Sequence, residues 1–99
     1  MRVVLTEEAD ADMAAIFFHL ANEAGRRTAE KYLGAFYDVY ERLAVFPGLG
    51  VARPELGGAI HMCVVSPYLI LYRLSDAEVS VLRLVHGRRN VTRELIGEE

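Results

Sequence analysis

One change of hydrophobic period, near residues 47–58, divides this chain into two kinds of structure. Upstream of it, apolar residues recur three and four positions apart; downstream, they fall into short β-rich runs separated by very short turns. Runs joined so tightly pair antiparallel, because a parallel crossover needs a dozen or more residues. The chain is therefore expected to fold as two helices followed by a meander, in one α+β domain over residues 1–99. Its 99 residues suit one domain rather than two, and 53% apolar types suffice for a core.

Residues 2–5 (RVVL) form a short β-type run, and Thr6 is placed to cap a helix. Glu7 and Glu8 in the first turn then face the positive end of the helix dipole. This first helix runs from about Glu7 to about Ala24, with Ala9, Met13, Ile16, Phe17, Leu20 and Ala24 as its core positions. Gly25 suits the residue after its last turn. A second helix, about Arg27 to about Val45, carries the stripe Ala29, Tyr32, Leu33, Phe36, Tyr40, Leu43 and Ala44. Phe46-Pro47 ends it. So little chain between two helices makes an antiparallel hairpin.

Residues 47–58 (PGLGVARPELGG), with four Gly and two Pro, read as a loop. Strands are expected at 59–65, 68–74 and 78–86, with turns at Ser66-Pro67 and Ser75-Asp76-Ala77. In 68–74, Tyr68, Ile70, Tyr72 and Leu74 share one face, and Leu69, Leu71 and Arg73 share the other. Apolar groups on both faces mark a central strand. The tail from Arg88 to Ile96 is open between a short helix and a frayed end. The layout is β-α-α-β-β-β, a helical hairpin on a small, mostly antiparallel sheet.

Few residues suggest catalysis. No phosphate-binding Gly loop, HExxH or GxSxG is present, and His19, His61 and His86 lie far apart. No metal and no cofactor are expected. Cys63, the single cysteine, sits between Met62 and Val64 and reads as a buried thiol. The longest apolar runs fall short of a membrane span, so a cytoplasmic protein is expected.

Charge is distributed unevenly. Residues 83–93 (RLVHGRRNVTR) hold +4, while the whole chain sums to −3. Arg83, His86, Arg88 and Arg89 are candidates for a contact surface, with Gly87 giving the strand a sharp exit. The opposing view pairs these arginines with Glu7, Glu8, Asp10 and Asp12 of the first helix. That helix also carries Ala11, Ala14, Ala15 and Phe18 away from its core stripe, Phe18 pointing roughly 140° from the stripe's centre. A helix apolar on both sides is usually covered on both sides, so this face is a candidate partner surface.

Taken together, these segments resemble the ParE branch of the RelE/ParE toxins of bacterial toxin–antitoxin systems. LTEEADADMAAIFFHLANEAG is similar to the family's first helix, with its acid–x–apolar pattern at Asp12-Met13. TAEKYLGAFYDVYERLAVFPGLG is similar to the second, closed by Phe46-Pro47 and Gly50. PYLILYRLSDAEVSVLRLVHGRRN resembles a Y-x-x-x-Y strand (Tyr68, Tyr72) followed by one ending in H-G-R-R-D (His86, Gly87, Arg88, Arg89). The chain departs from the pattern at three places. His61 stands where an Arg is usual, Ser66-Pro67 replaces a Gly-Arg step, and Asn90 replaces the closing Asp.

The resemblance implies a toxin neutralised by a ParD-like antitoxin and acting on DNA gyrase by protein–protein contact, with no direct DNA binding of its own. The concentrated charge, the strand exit at Gly87 and the family's H-G-R-R at His86, Gly87, Arg88 and Arg89 together make Arg83, His86, Arg88 and Arg89 the expected toxicity surface, or residues beside it. RelE-type relatives instead cut messenger RNA on the ribosome, using several basic side chains and often a late Tyr. Here Lys31 is the only lysine and no Tyr follows Tyr72. Ribosome-dependent cleavage remains the alternative, as does a degenerate module that binds antitoxin without poisoning anything.

Overall fold

The computed structural model describes residues 1–97. The elements run β1 (Arg2–Leu5), α1 (Glu7–Ala24), α2 (Arg26–Val45), β2 (Val51–Ala52), β3 (Ile60–Val65), β4 (Tyr68–Leu74) and β5 (Glu78–His86), with a 3-10 turn at Pro54–Leu56. The five strands make one sheet in the order β1-β5-β4-β3-β2. The meander is antiparallel, as the short turns require. β1 lies parallel to β5, with Arg2 opposite Glu78 and Leu5 opposite Val81. The helical hairpin supplies the crossover that a parallel neighbour needs.

Thr6 fixes the start of α1 twice. Its Oγ1 accepts from the Ala9 amide at 3.1 Å and donates to the Leu82 carbonyl at 2.9 Å. The hairpin turns on Gly25 alone, whose φ of 93° favours a residue without Cβ. Met13, Phe36, Tyr40, Leu43, Ile70, Tyr72 and Val81 fill the core between helices and sheet. The buried Tyr40 hydroxyl lies 3.2 Å from Met13 Sδ, and burial pushes its pKa well up.

β4 is the central strand, apolar on both faces. Tyr68, Ile70 and Tyr72 join the helix-side core, while Leu71 joins Leu56, Ile60, Leu82, Val85 and Ile96 on the reverse side. A bulge in β5 reconciles the two faces. Leu71 pairs with Arg83 and Tyr72 with Val81, which leaves Leu82 unpaired. The extra residue resets the alternation, so Val81 and Leu84 both reach the helix side.

Some sequence expectations need correction. Phe17 is not in the core: it is half-buried and lines an outer groove between the helices. It lies about 80° around the helix from Ala9, at the edge of the stripe and turned toward α2. Ala24 is exposed, because the last turn of α1 runs to the reversal at Gly25. Val39, outside the expected stripe, is buried one turn from Leu43. The 47–58 segment holds β2 and the 3-10 turn, and the tail is neither helix nor frayed end. It runs as turns and buries Ile96 against the reverse face.

Tyr72 and Gly50 explain one sequence pattern structurally. The Tyr72 hydroxyl donates to the Pro47 carbonyl at 2.8 Å and accepts from the Gly50 amide at 2.9 Å. A Cβ on Gly50 would fall 2.8 Å from the Met62 carbonyl oxygen and from the Tyr72 ring. Only glycine fits that approach. The end of α2 is thereby bound to the centre of the sheet, and the hairpin takes a fixed position over it.

Candidate functional site

The basic segment begins where β5 ends. The Gly87 amide donates to the Pro67 carbonyl at 2.7 Å, joining the exit of β5 to the β3–β4 turn. A Cβ on Gly87 would sit 3.1 Å from that same oxygen. The Arg88 amide donates to His86 Nδ1 at 3.1 Å and the Arg89 amide to the His86 carbonyl at 2.9 Å. With Nδ1 accepting, the neutral ring carries its proton on Nε2. The His86 ring meets Tyr68 edge-on at 5.7 Å. Burial raises the Tyr68 pKa, so this phenol stays protonated at neutral pH. Arg88 and Arg89 project into solvent from a turn held by backbone bonds. Among the described residues, no carboxylate lies within ion-pair distance of either.

Arg83 stands apart from the other three. Its Nε donates to Asp12 Oδ2 at 2.6 Å and its Nη2 to Asp12 Oδ1 at 3.0 Å, a two-pronged pair about four-fifths buried on each side. Its Nη1 donates to the Leu95 carbonyl at 2.9 Å. Hydrogen bonding to Asp12 pushes the guanidinium pKa above its ordinary value. The carboxylate from α1 that the charge pattern offered as a partner is thus engaged, but by Arg83 rather than by Arg88 or Arg89. Asp12 Oδ2 also accepts from the Leu84 amide at 3.0 Å. The charge pattern offers Asp12 as one of four acids for these arginines, but neither the choice of Asp12 nor its contact with Leu84 is local, since the partners lie 71 and 72 positions away.

Two grooves of about 320 Å³ flank α1. One lies between α1 and the sheet and is lined by Ala15, Ile16, His19, Tyr68, His86 and Arg89, among others. It brings His19 and His86 to one cleft although they are far apart in sequence. The other lies on the outer side of the hairpin, lined by Asp10, Met13, Ala14, Phe17, Phe18, Leu33 and Tyr37. Phe18 is 67% exposed there, and Ala11, Ala14 and Ala15 are exposed along the same helix. Of the four, Ala14 and Phe18 line the outer groove, Ala15 lines the inner one and Ala11 lies exposed outside both.

The remaining reactive groups are engaged in packing. The His61 ring stacks on Tyr72 at 5.4 Å with Nδ1 3.2 Å from the Ala59 carbonyl oxygen. Cys63 is buried, and burial pushes its thiol pKa up, away from the reactive thiolate. Among the described residues, no three His, Cys, Asp or Glu side chains gather as a metal site, and no helix is long and apolar enough to cross a membrane. The candidate contact surfaces are an apolar groove on the hairpin and an exposed basic turn at the end of β5.

A helical hairpin crossing a five-stranded mixed sheet, with a basic turn after the last strand, is an α+β domain with the layout that the RelE/ParE resemblance implies. A solved chain from the chromosomal ParDE TA system of P. aeruginosa has the same fold, with a TM-score of 0.74 at 23% identity over 87% of this chain and 95% of that one. The family model described as ParE toxin of type II toxin–antitoxin system, parDE, matches residues 3–91. Toxin ParE3 of Caulobacter vibrioides is 32% identical over 94 residues, covering 95% of this chain and 94% of that protein. The chain belongs to the ParE toxin family of type II toxin–antitoxin systems.

Proposed function

We propose that this chain arrests bacterial growth by binding DNA gyrase through protein–protein contact, and that a ParD-like antitoxin encoded beside it neutralises it. The observation that carries the choice of target is the engagement of Arg83. Cleaving RNA requires cations free to stabilise a pentacoordinate phosphate and a group free to activate the 2′-hydroxyl. Arg83, rooted in the sheet beneath the basic turn, is instead held by Asp12 and Leu95. His86 Nδ1 is taken by the Arg88 amide. What remains outward is a turn suited to an acidic protein surface: Arg88 and Arg89, with His86 beside them and Arg83 beneath.

Membership of the ParE family and the ParDE pairing of the P. aeruginosa structure support the antitoxin assignment. Its docking face is the exposed side of α1, Ala11, Ala14, Ala15 and Phe18. An antitoxin segment that is disordered when free would bury apolar side chains there as it folds. Expressing the chain alone in a bacterium tests the whole reading. Growth arrest with filamentation and a DNA-damage response is expected, relieved by the cognate antitoxin. Immediate loss of translation would assign the chain to mRNA cleavage, and unimpaired growth to a degenerate antitoxin-binding module.

A further inference from the structure

The geometry points to Asp12 and Arg83 as positioning residues: an ion pair by which the first helix sets the place of the basic turn and of the tail that follows it. This inference rests on the reading that His86, Arg88 and Arg89 form the toxicity surface. It begins with an incomplete sheet edge. β1 pairs with β5 only from Glu78 to Val81. Beyond Val81 the outer edge of β5 has no strand beside it, and an unpaired edge amide needs a partner. Thr6 takes the Leu82 carbonyl and Asp12 takes the Leu84 amide. Asp12 therefore stands where the next strand would be, two residues before His86.

The same carboxylate grips both Nε and Nη2 of Arg83, and Nη1 of that guanidinium holds the Leu95 carbonyl. The segment between Gly87 and Leu95 is thus tied at both ends, by Gly87 to the Pro67 carbonyl and by Leu95 to Arg83. Asp12 is the helical residue through which the second tie runs, and Ala11 and Ala15 of the proposed antitoxin face lie within one turn of it. A planar guanidinium makes all three bonds at once. A lysine ammonium in its place keeps the charge but not the fork.

Three variants of the full-length toxin, Asp12→Asn, Arg83→Lys and the double Arg88→Ala/Arg89→Ala, separate the possibilities. The first keeps an oxygen for the Leu84 amide, and the second keeps the charge, so both are expected to fold. Measured by hydrogen exchange, amides from Leu84 to Gly97 should exchange on the order of tenfold faster in both. Growth arrest should be lost, while co-purification with the antitoxin stays at the level of the unaltered chain. A merely structural pair would lower antitoxin binding and toxicity together, and that result overturns the inference. So does unchanged exchange, or faster exchange with full toxicity. If the double arginine variant remains fully toxic, the toxicity surface itself is wrong and the inference falls with it. If that variant is harmless while Asp12→Asn with a loosened tail still kills, only the positioning role fails.

Discussion

At the scale of single residues, the side chains that carry the family's pattern divide between those that pack and those left exposed on the proposed contact surface. Tyr72 belongs to folding, since its hydroxyl satisfies both the Pro47 carbonyl and the Gly50 amide. Tyr72→Phe should lower stability by about 1–3 kcal/mol, the cost of leaving partly buried polar groups unpaired, and thermal or urea unfolding measures it. Cys63 makes a pH prediction. Its thiol pKa is raised on folding, so the folded state keeps the proton to higher pH than the unfolded chain does. The Cys63 contribution to stability is therefore intact below about 8.5, the ordinary thiol value, and declines as pH rises past it. Alkylation of the folded protein at pH 8 should be much slower than alkylation in denaturant. Equal rates would place the thiol at the surface. The Tyr72–Gly50 contact was not legible in the sequence, because nothing local says that a loop glycine meets a tyrosine 22 positions on.

At the scale of elements, the helices and the meander were legible because their signals are local. Thr6 before two acids, Gly25 between two apolar stripes and Phe46-Pro47 each act within one turn of chain. Two-residue and three-residue connections leave the meander no other pairing. What stayed hidden was non-local: β1 parallel to β5, the bulge at Leu82, and the tail under the sheet. Phe17 shows the limit of periodicity, which gives the width of a helix stripe but not the edge at which the partner helix stops covering it. Stability follows the observed burial rather than the expected one. Phe36, 1% exposed, should cost about 3–5 kcal/mol on replacement by Ala. Leu33 is half-buried at the rim of the outer groove, and Leu33→Ala should cost clearly less. Denaturant midpoints of the two variants compare them directly, and equal losses would contradict the arrangement of the hairpin.

At the scale of the whole molecule, α1 separates two surfaces with different chemistry. Its outer flank is an apolar groove, and its inner flank faces the basic end of β5. Phe18→Asp places a charge on the outer flank without touching the core. The melting temperature should barely change, and affinity for the antitoxin should fall on the order of tenfold or more, as titration calorimetry of the complex would record. An unchanged affinity would move the antitoxin elsewhere. The proposed contact surfaces start from features of the residue order, a +4 segment in a −3 chain and a helix apolar on two sides. The residue order offers four acids of the first helix to these arginines, and only the fold selects Asp12 and Arg83, 71 positions apart, as the pair that meets. The most direct measurement is DNA supercoiling by purified gyrase with the purified chain added. Supercoiling is expected to stop, and adding the antitoxin to restore it. Gyrase that works undisturbed, beside ribosomes whose messenger RNA is cut by the same preparation, would contradict it.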